Sequence, residues 1–207
     1  MVDTRAVRTR DKILRAAHDE FSEHGPAGAR IDRIAVAAGV NKQRLYAYFT
    51  NKEGMFSAVL SRAFANLAAA VPIPATLEGL LDYAGEVFDY HRKDPSLVRL
   101  LAWEGLHYRA DALDTPYSRA AYYEGTMTNL ARSTGADIEQ VARTLLVIVG
   151  IASWPHIVPQ QRRLFLARGN PETARELDLL REAVVAGGRA SALLLARDKA
   201  ATELPTN

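Results

Sequence analysis

The chain has 207 residues, 48% of them apolar and 24% charged, with 26 Lys and Arg against 24 Asp and Glu for a formal charge of +2. That is apolar material for one large or two modest domains. There is no cysteine, which excludes disulfides, thiolate nucleophiles and sulfur-bound metals.

Thr9 to His24 sets Ile13, Ala17 and Phe21 on one helical stripe with Leu14 beside it, and Gly25, Pro26 and Gly28 end that helix. Ile31, Ile34, Ala35 and Ala38 predict a second, short helix. Gly39, just past the last periodic residue, reads as a left-handed stop on which Val40 packs back. Asn41 is a strong N-cap, so a third helix is expected to begin at Lys42 and to carry Leu45 and Phe49 inward. Lys42, Gln43, Arg44, Tyr46 and Tyr48 then point elsewhere. Two short helices about a glycine turn, the second opening on polar and basic residues, form the helix-turn-helix pattern whose second helix enters the DNA major groove.

From Thr9 to Phe64 the chain resembles the N-terminal domain of the TetR family of transcriptional regulators. The residues that carry the likeness are Ile34-Ala35, Ala38-Gly39-Val40, Leu45-Tyr46, Tyr48-Phe49 and Lys52-Glu53, at the family's spacing. The resemblance implies that Tyr46, Tyr48 and Lys52 bind phosphates and that Asn41, Lys42, Gln43 and Arg44 face the groove. Lys42 and Arg44 suit guanine O6 and N7, and Gln43 suits adenine, unless the two cations touch only phosphates. Two departures stand out. Ala29 and Arg30 occupy the place of the usual hydroxyl cap, so Arg30 is expected either to supply a phosphate contact or to leave the helix start frayed. Gln43 and Arg44 are bulkier than the family's common choices. Residues 1 to 64 hold 11 Lys and Arg against 7 Asp and Glu, a net +4, so the basic end is the end with the motif.

After Lys52, the series Met55, Phe56, Val59, Leu60, Ala63, Phe64 and Leu67 predicts one long helix that ends before Val71-Pro72-Ile73-Pro74. It is the natural lever between the two halves. Further helices are expected at Leu77 to Arg92, Pro95 to Tyr108, Tyr117 to Ser133, Ile138 to Ser153 and Glu172 to Arg197, with no strand signal. In the last of these Leu177, Leu180, Val184, Gly187, Ser191 and Leu194 step by three and four, as in the seam of a helix pair. Leu145 and Val149 lie on a helix that is apolar nearly all round. These residues are the expected homodimer interface. Gly187-Gly188 would be offset by close approach of another helix or would mark a kink.

By family analogy the helices from Thr76 to Ser133 would bind a small-molecule effector. Trp103, His107, Tyr108, Tyr117, Tyr122, Tyr123, Met127, Trp154 and His156 are the candidate lining, although an aromatic at helical spacing is more often core. Glu104-x-x-His107, with Glu86, is half of a carboxylate-bridged di-metal pattern whose second half is missing, and no nucleophile or phosphate-loop motif occurs. A helical interaction module without DNA affinity would be told apart by flat salt dependence.

The reading is thus an all-α protein with a three-helix helix-turn-helix DNA-binding domain over 1–70 and a helical effector-binding and dimerisation domain over 71–207. It is expected to act without cofactor or metal as a homodimer on double-stranded operator DNA. The polar start, Met1 to Lys12, lacks a signal peptide's apolar stretch, and the run Leu145 to Trp154 is about half the length a bilayer requires, so a cytoplasmic protein is expected.

Overall fold

The computed structural model describes residues 4–108, 119–166 and 173–202, the last six by backbone only. Among the described residues every regular element is a helix: α1 (Thr4–Gly28), α2 (Ile31–Ala38), α3 (Lys42–Tyr46), α4 (Lys52–Ala70), α5 (Leu77–Lys93), α6 (Ser96–His107), α7 (Arg119–Thr134), α8 (Ile138–Ile157), α9 (Pro159–Phe165) and α10 (Ala174–Thr202). The chain divides into two compact units, Met1–Asn66 with Ser96–Arg119, and Leu67–Pro95 with Ala120–Asn207. It therefore passes from one unit to the other within α4, between α5 and α6, and at the start of α7.

The first unit is built on the apolar stripe of α1. Ile13, Ala17 and Phe21 are fully buried, and Phe21 meets Phe56 of α4 edge to face at 5.2 Å between ring centroids. Burying each such ring or aliphatic side chain is worth about 1.5–3 kcal/mol, so these few residues dominate the unit's stability. Ile34, Ala38, Leu45, Phe49, Met55 and Leu60 complete the core. The helix α1 breaks where expected, at Gly25, whose φ of 65° and ψ of 175° are open to glycine almost alone. A Cβ there would lie 2.6 Å from the Trp103 ring, so the break also admits α6. Although it lies beyond residue 70, α6 is grouped with the N-terminal helices. It packs on α1, and it buries Leu97, Val98 and Leu100.

In the second unit α10 lies along α5 and α8. Three ion pairs fix an antiparallel register between α5 and α10: Asp82 with Arg189, Asp89 with Arg181 at 2.7 Å, and Arg92 with Asp178 at 2.6 Å. Between them the backbones come close. A Cβ on Gly188 would lie 2.5 Å from Ala84 Cβ, and one on Gly85 2.7 Å from Val185. The glycine pair of α10 thus serves a contact with α5 of the same chain, and the helix runs on through it.

Much of the expected interface also packs within this chain. Leu145 and Val184 are buried inside this unit's own core, with Val149 and Leu180 packed against it. Gly187 faces Ile151, Ser191 donates to the Gly187 carbonyl at 3.0 Å, and Leu177 is half-buried; of the eight, Leu194 is the one that is exposed. Periodicity finds the buried side of a helix but does not say whose atoms bury it.

Several element ends also differ, with α1 beginning at Thr4 and α10 running from Ala174 to Thr202. The helix α8 continues through Pro155 to Ile157 instead of stopping at Ser153; the proline stands in the last turn, so the hydrogen bond it forfeits and the crowding of its ring disturb only the helix end. Pro159 then opens α9, which the sequence reading did not separate. By length and composition α8 is apolar enough to cross a bilayer, but one side of it is core: Val141, Thr144, Leu145, Ile148 and Ala152 are buried.

Candidate nucleic-acid interface

The turn between α2 and α3 is made by Gly39, at φ 66° and ψ 36°. Its N–H donates to the Val36 carbonyl at 3.1 Å and that of Val40 to the Ala35 carbonyl at 3.0 Å, which satisfies the last carbonyls of α2. Asn41 then caps α3, its Oδ1 accepting from the Arg44 N–H at 2.7 Å. Because α3 has only five residues, it is held by what it buries. Leu45 is wholly enclosed, and Phe49 beyond the helix lies under the Arg10 guanidinium, 5.5 Å from the ring centroid. Asn51 repeats the capping device for α4 by accepting from the Gly54 N–H at 2.7 Å.

At the start of α2 Arg30 is the N-cap in extended conformation and makes no side-chain cap. The helix start is held from α1 instead, at a different atom: Glu20 accepts from the N–H of the N-cap residue Arg30 at 2.7 Å and grips the Arg33 guanidinium at 2.6 Å. Burial alone would raise the Glu20 carboxyl, but the hydrogen bonds from Arg33 and the Arg30 backbone outweigh it and hold the group below its ordinary 4.5. The helix start is therefore tied down, and the Arg30 side chain remains exposed. No local motif could have found Glu20, which stands ten residues upstream.

With the turn fixed, Asn41, Lys42, Gln43, Arg44 and Tyr46 are exposed, and Tyr48 and Lys52 are half-exposed. Lys42 reaches back to Asp32 of α2 at 2.7 Å, which raises the pKa of the ammonium through that hydrogen bond. Lys52 opens α4, its Nζ 3.5 Å from the Ala27 carbonyl, and its charge adds to that of the free amides at a helix N-terminus. All eight expected contact residues thus lie in the stretch from the start of α2 to the start of α4. Together they offer ammonium, guanidinium, amide and phenol donors, the set that binds phosphate oxygens and purine edges.

The expected effector lining does not gather in one unit. Trp103 lies against Gly25, Tyr108 stacks on Phe56 with centroids 5.5 Å apart, and His107 is exposed edge-on to Tyr108, all in the first unit. Tyr122, Tyr123, Met127 and Trp154 belong to the second. Tyr122 Oη accepts from the Ile73 N–H at 3.1 Å, Met127 packs on the core, Tyr123 is exposed, and Trp154 donates to Gln161 at 2.6 Å while remaining 54% exposed. His156 meets Phe88 with ring centroids 4.6 Å apart, and Tyr117 lies outside the described residues. The carboxylate of Glu104 is taken up by a two-pronged bond to Arg119, one prong 2.8 Å long.

Residues 13–59 match the family model described as bacterial regulatory proteins, tetR family, and residues 79–187 match the tetracyclin repressor-like C-terminal domain. The HTH-type transcriptional repressor SCO4008 of Streptomyces coelicolor is 37% identical over 180 residues, 84% of this chain and 92% of that protein. Among solved structures, the putative transcriptional regulator SCO4942 from the same organism superposes with a TM-score of 0.71 at 29% identity, covering 88% of this chain and 97% of that one. The flavonoid-responsive regulator FrrA gives 0.54 at 26% identity, covering 90% and 96%.

Proposed function

This chain belongs to the TetR family of bacterial regulatory proteins, DNA-binding regulators of transcription, and from that premise we propose that it is a ligand-responsive repressor that grips a palindromic operator as a homodimer in the cytoplasm. The observation that carries the reading is the α2–Gly39–α3 turn, fixed by caps at both ends, with Gln43, Arg44 and Tyr46 exposed beside Lys52 at the start of α4. Phosphate contacts from Tyr46, Tyr48, Lys52 and Arg30 set the register on the duplex, and Lys42, Gln43 and Arg44 read base edges. Lys42 exchanges Asp32 for DNA as it binds.

Two copies related by a two-fold axis would present α3 to successive major grooves about 34 Å apart. Residues 1–70 serve DNA binding and 71–207 serve effector binding and dimerisation, with α6 as the C-terminal segment that rests on α1. An effector held in the second unit would favour one of two arrangements, passed on where the chain crosses between units in α4 and at the α5–α6 junction. The likeness to FrrA, a flavonoid-responsive regulator, supports the ligand-responsive part of this reading.

The test is selection of bound fragments from random DNA by the purified protein, followed by titration over salt. An inverted repeat bound with steep loss of affinity as salt rises is expected, since each neutralised phosphate releases counterions. No preferred duplex, or an affinity indifferent to salt, would overturn the proposal.

A further inference from the structure

Near the end of α5, His91 is only 2% exposed, and His156, in the last turn of α8, has its ring centroid 6.2 Å away. The Phe88 ring lies 4.6 Å from His156, and Tyr90 stands edge-on to His91 at 5.6 Å. Nδ1 of His91 and Nε2 of His156 are both buried, and neither has a hydrogen-bond partner. A buried polar atom left so costs about 1–3 kcal/mol, and two in one small region call for a reason.

The charges around them select the kind of guest. Arg162 of α9, whose Nε is buried, and Arg92 of α5 both oppose a positive charge on His156. Arg92 is partly offset by Asp178 of α10 at 2.6 Å, and Asp94 acts on His91 in the opposite sense. Burial first pushes both imidazoles down to about 4, aided at His156 by the two arginines and at His91 by His156, so both are neutral at pH 7. A metal cation does not fit beside two guanidinium groups, and among the described residues no three His, Cys, Asp or Glu side chains come together to hold one. His156 gives its other ring N–H to the Phe88 carbonyl, so its neutral Nε2 is a bare acceptor. A carboxylic acid brings the proton such an acceptor takes up, and the carboxylate left in contact with the imidazolium is favoured by the Arg162 charge beside it. The residues one turn away, Val87, Phe88 and Ala152, are apolar and buried, so the rest of the guest should be apolar.

We propose that His91 Nδ1 and His156 Nε2 form the polar end of the effector site, and that the effector is a small apolar acid whose carboxylate they bind beside Arg162. The proposal rests on the ligand-responsive reading above. Its place in the chain suits that role: His91 lies five residues before Ser96, where the chain crosses between units and α6, the helix that packs on α1, begins.

The experiment uses the full chain with benzoate and octanoate, their neutral partners benzamide and octanol, the cationic partners benzylamine and octylamine, and zinc. Binding is read by melting temperature and by imidazole proton resonances. One of the acids is expected to raise the melting temperature and shift two of the five histidines, and its Kd should tighten as pH falls from 8 to 6, because the bound anion recruits a proton to the pair. His91→Gln and His156→Gln should each weaken it at least tenfold, and resonance shifts in the unaltered protein give the same answer if a variant fails to fold. Equal binding of the neutral or cationic partners, stabilisation by zinc, acid binding unchanged in both variants, or no response to either acid would each overturn the proposal. Operator binding without any acid is scored separately: a chain that binds acids but no DNA would sink the repressor reading and leave this site standing.

Discussion

Arg44 and Lys52 both bring a positive charge to the proposed DNA surface but differ in what they can distinguish. Lys52, a point charge at the start of α4, is placed for phosphates, which are the same in every sequence. Arg44, exposed on α3, has the planar fork that matches guanine O6 and N7. Lys52→Ala should therefore lower affinity alike for operator and unrelated DNA and reduce the salt slope by about 1. Arg44→Ala should in addition relax preference at one base pair by about 1–3 kcal/mol, measured by competition among single-base operator variants. Equal loss everywhere from both substitutions would make Arg44 a phosphate contact. Glu20 bears on the same surface from behind. Its carboxyl titrates below the ordinary 4.5 in the folded chain, so the stability it contributes is in place above that value and is lost as pH falls through the lower, folded value. The melting-temperature gap between the natural chain and Glu20→Gln should be widest near neutral pH and close in acid. A gap that does not change with pH would mean the carboxylate charge is not what ties α2 down.

At the scale of elements, short helices owe their existence to their ends. With five residues α3 cannot nucleate alone, and Asn41→Ala removes the acceptor that holds the Arg44 N–H. A loss of about 1 kcal/mol is expected, seen as a lower denaturation midpoint together with weakened operator affinity. Gly25→Ala should cost more, about 2–4 kcal/mol, since it combines a forbidden backbone angle with a clash against Trp103. These two ends were legible in the sequence, because a cap and a helix-breaking glycine act within a few residues of themselves. The tie from Glu20 to the start of α2 was not legible, and neither was the packing of Trp103 on Gly25, 78 residues away in the chain numbering. Each joins segments whose spacing carries no period. The helix α9 was hidden for a different reason: it buries no residue, so it leaves no apolar stripe to read.

For the molecule as a whole, the question is which surface a second copy would cover. Part of the expected seam is buried inside the chain, and a second stripe lies one step round each helix. On α10 Leu179, Ala183, Ala186, Ala190 and Leu193 are exposed at steps of four and three, and on α8 Leu146, Val147, Gly150 and Trp154 are exposed, Leu146 to 76%. Since α8 and α10 pack on each other, the two stripes belong to one unit, and a second copy that covered both would meet an apolar face with small residues suited to close helix approach. A two-fold axis through that face would bring four helices together, and an area of about 1,200–2,000 Å² would make the pair stable. Leu146→Glu combined with Leu193→Glu should then yield a folded monomer by sedimentation, with helix content and melting of the first unit retained. Operator affinity should fall by about 10²–10⁴-fold, because the second half-site is no longer delivered at high effective concentration. Val184→Asp should behave differently: it places a charge in the core between α5, α8 and α10, and should unfold the second unit rather than separate two intact copies. If instead Val184→Asp released folded monomers and the double glutamate variant remained a dimer, the inner stripe would be the true interface and the arrangement of α10 on α5 would be wrong.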